Sequence, residues 1–190
     1  MIDILGWFWT SAILVIAVVL VLLLISIYNT LVRLRQNVRQ GVADIDAQLR
    51  QRHDLIPNLV EAVKGYAGHE SSTLEAVIAA RNAAASGAPS SGGEQQLRVA
   101  LDNLLALGEA YPDLKASANF QSLQNELADV EDKLAAARRA LNAAVARFNS
   151  ARESFPAVLF AGLLGFAEAD FNKLDDSEKG SVDQVPRIAF

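Results

Sequence analysis

Between Ile4 and Ile27 the chain carries no charged residue, and that stretch limits the fold more than any other. Its core, WFWTSAILVIAVVLVLLLISI from Trp7 to Ile27, makes a helix of roughly 31 Å at ~1.5 Å per residue, the thickness of a bilayer's hydrocarbon layer. A cleaved signal peptide would open with basic residues, yet the first lysine or arginine is Arg33, so an uncleaved anchor is expected. Trp7, Trp9 and Tyr28 flank the run where amphipathic rings favour the headgroup region. Beyond it Arg33, Arg35, Arg39, Arg50 and Arg52 outnumber Asp44 and Asp46. The positive-inside tendency then predicts a single-pass protein of the bacterial inner membrane, its amino terminus outside and its main domain cytoplasmic.

The apolar fraction of 52% is high for a soluble chain, and this segment accounts for most of the excess. With no cysteine, disulfides, thiolate metal sites and thiol nucleophiles are excluded. Of 17 basic and 22 acidic residues, five arginines and three aspartates lie at or before Arg52, which leaves the remainder acidic by seven charges. A nucleic-acid surface would be basic, so no nucleic-acid partner is expected.

After the anchor, Leu31, Leu34, Val38, Val42, Ile45, Leu49, Ile56, Leu59, Val63 and Tyr66 recur in steps of three and four, with one gap near His53. One long helix is predicted, either kinked at Pro57 or restarted there with Asp54 as its cap; the kink is favoured. Ser72-Thr73-Leu74-Glu75 reads as a capping box for a second helix ending near Ala85, and SGAPSSGG from Ser86 to Gly93 as a loop. A third helix runs from Glu94 to Tyr111-Pro112. A fourth, from about Ser117 to Ser154, has a heptad seam that includes Phe120, Leu127, Leu134, Leu141 and Phe148.

The expected fold is therefore all-α: a single N-terminal transmembrane helix, then an antiparallel up-down bundle of two long and two short helices with a short apolar C-terminal helix. Three parts follow: an anchor over residues 1–30, a helical bundle over 31–172, and an acidic tail over 173–190 that closes on VPRIAF. The second and third helices, about 14 and 17 residues, can flank only half of the long pair. Parity returns the fourth helix to the membrane side and delivers FPAVLFAGLLGF to the uncovered half. Phe155, Val158, Leu159, Phe160, Leu163, Leu164 and Phe166 thus form a membrane-proximal or oligomer interface, which can fold onto the chain's own helices, onto a second subunit, or onto lipid.

For chemistry the candidates are His53 beside Asp54 and His69 beside Glu70. Adjacent helical residues point about 100° apart, and the histidines lie 16 positions from each other, roughly 24 Å along a helix. His69-Glu70 lacks the second histidine of a zinc-protease motif, since position 73 is threonine. Surface or capping roles are expected for both; neither catalytic residue, metal nor cofactor is predicted. Asp129, Glu131 and Asp132 fall on the solvent side of the heptads, and no phosphate loop or nucleophile elbow is present.

The pieces YNTLVRLR (28–35), RHDLIPNLVEAVKGYAGHE (52–70), EAYPDLKASANF (109–120), VARFNSARESFP (145–156) and LLGF (163–166) resemble the LemA family of bacterial membrane proteins, in the expected order. The chain departs from the family pattern at Leu141 and Phe148, where members often carry tyrosine, and in its small-residue-rich loop. The resemblance implies one amino-terminal anchor, a cytoplasmic antiparallel helical domain and no enzymatic activity. It links members with envelope or stress functions and, through neighbouring genes, with a membrane protease or another envelope protein as partner. The family motifs contain Asn29, Asp54, Pro57, Asn58, Tyr66, Tyr111, Pro112, Asn119, Asn142 and Asn149. The asparagines are expected to set register between long helices, where one buried amide can fix alignment. The function expected is a membrane-anchored helical scaffold that self-assembles or holds partners. A lipid-surface or membrane-remodelling protein using residues 155–166 is the alternative, and a metal enzyme using His53 or His69 the weaker rival.

Overall fold

The computed structural model describes residues 2–86 and 92–171, and of residues 2–6 and 8 the backbone alone. The middle of the 86–93 loop and the 173–190 tail, VPRIAF included, lie outside the described residues. Every regular element described is helical: α1 (Ile2–Lys64), α2 (Ser71–Ser86), α3 (Gly93–Ala110), α4 (Pro112–Ala116), α5 (Ala118–Glu153) and a 3-10 turn at Ala157–Leu159. The all-α bundle expected from periodicity is what forms.

Helix α1 runs 63 residues without interruption, Pro57 included. A helical proline offers no N–H to the carbonyl four residues back, here that of His53. The Arg81 side chain of α2 supplies the missing donor, its Nε lying 2.9 Å from the His53 carbonyl oxygen. The helix is therefore not restarted at Asp54, which is exposed and caps nothing. Residues 9–27 of this helix are apolar and almost wholly exposed, the one described helix long and apolar enough to cross a membrane. Thr10 and Ser11 satisfy their hydroxyls on the Trp7 carbonyl at 2.9 Å, which is how such groups are tolerated away from water.

Two compact units divide the described chain. One comprises Gly41–Ala140. In it α1, α2, α3, α4 and α5 share one core, with Val63, Val77, Leu97, Leu104, Leu114 and Phe120 fully buried. Each such side chain contributes on the order of 1.5–3 kcal/mol. Helices α2 and α3 pack along each other, and Gly108 of α3 lets the Phe120 ring approach so closely that a Cβ there would meet Cε1 at 3.0 Å. Tyr111-Pro112 ends α3 and at once starts α4, a short helix absent from the sequence reading; proline at a first helical position needs no N–H. Helix α2 begins a residue ahead of the predicted capping box, with the Glu70 carbonyl accepting from Thr73 and Leu74.

The other unit comprises the residues up to Gln40 together with Leu141–Phe171. Its core is Leu31, Phe148, Ala161 and Phe166, with Ile27, Val32, Leu34 and Val38 packed around them. Ala161 and Phe166 of the apolar C-terminal segment thus pack on α1 and α5 of this unit from within the same chain. The segment is not the short helix predicted. After the 3-10 turn the chain continues in turns to Gly165, whose φ of +76° suits glycine and lets Phe166 fold back under the segment.

Candidate functional site

Inside the Gly41–Ala140 unit the chain buries a small ionic cluster. Arg52 is 1% exposed and Glu94 6%. The Arg52 guanidinium pairs with the Glu94 carboxylate through one nitrogen and with Glu131 Oε1, at 2.6 Å, through the other. Glu94 also faces His53, with 3.0 Å between Nε2 and Oε1. The cluster so joins α1, the start of α3 and the middle of α5, while Arg81 adds α2 through the His53 carbonyl. Glu94 sits in the first turn of α3, where the helix dipole favours negative charge.

His53 corrects the expectation of a surface or capping histidine, since it is buried beside Arg52 and Glu94. Its pKa is held below the ordinary histidine value, first by burial and then by the charges of Arg52 and Arg81, with Asp54 opposing. The neutral ring donates its Nε2 proton to the Glu94 carboxylate. His69, by contrast, is exposed as expected. Among the described residues no three acidic or histidine side chains converge as metal ligands. A polar cleft of about 360 Å³ opens beside the cluster, lined by Asp46, Leu49, Arg50, His53 and Glu94.

A second polar tie closes the far end of the same unit. The Tyr111 hydroxyl donates to Glu70 Oε1 at 3.2 Å, linking the connection after α1 to the start of α4. That hydrogen bond raises the Tyr111 pKa, with burial adding to it. Of the other residues in the family motifs, Asn29, Asn58, Tyr66, Pro112 and Asn119 are exposed and Asn142 is half-buried. Asn149 is buried, and its partner is not a facing long helix. Its amide donates to the Ala169 carbonyl at 2.8 Å and accepts from the Ala169 N–H at 3.0 Å, which pins the returning segment.

In the other unit the predicted interface residues divide into two faces. Phe166 is buried, 5.6 Å edge-on from the Tyr28 ring and 4.8 Å beneath the Arg35 guanidinium. Arg152 holds the Phe166 carbonyl through Nε at 3.1 Å. Facing outward are Phe155, 81% exposed, Leu159, 59%, and Leu163, 87%, with Val158 and Leu164 beside them; Phe160 is half-buried. Trp7 and Trp9 are exposed at the other end of the apolar run.

The sequence reading missed Arg52, Glu94 and Arg81 as framework residues. A signal for the first was present: the apolar seam of α1 skips from Leu49 to Ile56, and Arg52 and His53 occupy that gap on the buried face.

Fold and site together define a class, an all-α bundle with one helix able to cross a membrane, an interior tied by paired charges, and an apolar face beside the end of that helix. The chain belongs to the LemA family, whose model matches residues 41–190. YNTLVRLR, at 28–35, lies ahead of the matched region. Among curated proteins it is similar to the magnetosome protein MamQ of Magnetospirillum gryphiswaldense, 23% identical over 173 residues, covering 76% of this chain and 64% of that protein. It is similar to the same extent to magnetosome proteins MamQ 1 and MamQ 2 of Paramagnetospirillum magneticum. The chain thus matches somewhat less than two thirds of the length of these relatives.

Proposed function

We propose that this LemA-family membrane protein is a non-enzymatic scaffold at the cytoplasmic face of the bacterial inner membrane, where it self-assembles or holds partners. The observation that carries this reading is a buried ionic cluster engaged in holding helices together, in a chain whose first helix is long and apolar enough to cross a membrane. The buried Arg52, His53 and Glu94, with Glu131, are engaged with one another across three helices, the pattern of a framework. Large apolar side chains are also exposed beyond the span, on the segment that follows α5. The arginines after the span support the cytoplasmic orientation. Organisation as an anchor (1–30), a bundle (31–172) and a tail (173–190) belongs to the same proposal. A membrane protease or another envelope protein is the class of partner the family resemblance implies.

Cross-linking and light scattering on the detergent-purified full chain test the self-assembly. Discrete multimers that persist on dilution are expected, and a strict monomer at all concentrations refutes that part. Metal analysis of the same preparation addresses the enzyme alternative: stoichiometric metal that is lost on His53→Gln or His69→Gln would replace the scaffold reading.

A further inference from the structure

The segment from Phe155 to Phe166 reads as the sole of a foot. Its inner face, Ala157, Ala161 and Phe166, is buried against α1 and α5. The outer face exposes Phe155, Leu159 and Leu163. No polar residue interrupts the sequence from Phe155 to Ala167, so that face has nothing of its own with which to meet water. Large apolar side chains exposed together on one short segment mark a place of association.

Depth identifies what it meets. If Trp7 to Ile27 fills the hydrocarbon layer, the headgroup layer beyond it, about 5–7 Å on each side, covers roughly the next four helical residues, to Leu31. The cluster around Phe166 packs on α1 from Ile27 and Leu31 to Leu34 and Val38, with Phe166 itself between the Tyr28 ring and the Arg35 guanidinium. Phe166 therefore places the foot beside the end of the span, its membrane-side contact at Tyr28 lying at the depth of the headgroups.

Resting on the membrane reading of the apolar helix, we propose that the outward face of Phe155, Leu159 and Leu163 is seated in the lipid interface, a second membrane attachment beside the transmembrane helix. Its occupant is the headgroup and upper acyl region of the bilayer, not a second copy of the chain, so self-assembly uses other surfaces. Apolar insertion, more than charge, drives the seating. Among the described side chains of this unit, exposed Arg33, Arg39 and Arg147 are matched by exposed Glu153, Glu168 and Asp170, leaving the partly covered Arg35 and Arg152 in excess. Contact with zwitterionic lipid and weak sensitivity to salt follow.

The absence of native cysteine allows a direct test in the full chain. Leu163→Cys, Leu20→Cys and Asn125→Cys, each at an exposed position, are labelled with a polarity-sensitive fluorophore and reconstituted in phosphatidylcholine vesicles. Nitroxide lipids and aqueous iodide serve as quenchers. The Leu163 label should be blue-shifted and quenched several-fold more by shallow nitroxide lipid than the Asn125 label, with little change at high salt. An aqueous Leu163 label beside a lipid-quenched Leu20 label overturns the seating and leaves the anchor standing. A blue-shifted Leu163 label that neither quencher reaches assigns the face to a protein partner and also overturns it. If Leu20 too is quenched by iodide alone, the anchor and the seating fail together.

Discussion

Removing Arg81 should expose the defect that Pro57 leaves in α1. The proline deprives the His53 carbonyl of its helical donor, and Arg81 Nε replaces that donor from α2 at 2.9 Å. In Arg81→Ala the carbonyl of a buried residue loses its partner, at a cost of about 1–3 kcal/mol. The loss of the arginine stem's packing adds to this, so the single variant overstates the bond. Pro57→Ala separates the two effects. An alanine restores an N–H to the same carbonyl, so the charged donor becomes redundant, and Arg81→Ala should cost roughly 1 kcal/mol or more less in the Pro57→Ala background than in the wild type. For a chain of this size about 1 kcal/mol corresponds to ~2–4 °C in Tm. The four proteins of the cycle would be compared by urea and thermal unfolding in one detergent, followed by helix ellipticity. Additive costs, equal within about 0.5 kcal/mol, would show that Arg81 does not act through the proline's orphaned carbonyl.

Glu94→Gln should destabilise the Gly41–Ala140 unit by about 3–5 kcal/mol, because the fully buried Arg52 keeps only the half-exposed Glu131 as counter-charge; unfolding midpoints check it, and a loss below about 1 kcal/mol would refute a buried pair of this kind. Stability should depend on His53 below neutral pH. Its folded pKa lies below the unfolded value of about 6.5, so the unfolded state binds the proton first, and stability falls as pH drops through 6.5 toward the folded pKa. The difference in unfolding midpoint between wild type and His53→Gln should accordingly shrink between neutral and mildly acidic pH, and a constant difference would contradict the assignment. Asn149→Ala should free the chain near Ala169 by removing both bonds to its backbone, with amide exchange there faster by about an order of magnitude for each ~1.4 kcal/mol lost; unchanged exchange would mean that the aromatic packing of Phe166 suffices.

The helices were legible in the sequence because their signals are local and repeated. The α5 heptads from Phe120 to Phe148 located that helix within a residue at each end, and the uncharged run of α1 located the apolar span. Legibility ended where a feature depends on one non-local partner. The carbonyl that Pro57 leaves without a helical donor is met by Arg81, 24 positions away on another helix. Short elements were also misread: α4 has five residues, too few for periodicity to register, and the segment after Pro156 has helical composition but is held in turns by the positive φ of Gly165 and by its anchorage at Asn149.

The buried ionic cluster shows why a charged residue on a core face is ambiguous in one dimension. Glu131 was read as solvent-facing from the heptads, and its carboxylate is indeed half-exposed, yet one oxygen reaches inward to Arg52. Glu94 reads as an ordinary first-turn acid, and only packing reveals that it receives both Arg52 and His53. Arg52 and His53 could have been suspected, because a helix whose apolar seam is interrupted for a full turn must either expose that turn or bury polar groups with partners. Burial with partners is the outcome. The partners come from α3 and α5, so the cluster forms only when those helices are correctly aligned on α1, and a slipped arrangement would leave a buried guanidinium uncompensated. This penalty makes the ionic cluster a device for choosing one alignment among several that leucine and alanine seams would tolerate, at some expense in stability relative to an all-apolar interior. Replacing Arg52, Glu94 and Glu131 together with methionine or leucine separates the two contributions. The triple variant should keep its unfolding midpoint within about 1–2 kcal/mol of wild type or exceed it, while losing the single set of sharp amide resonances of one packing. A triple variant that is both less stable and uniquely packed would refute the alignment role.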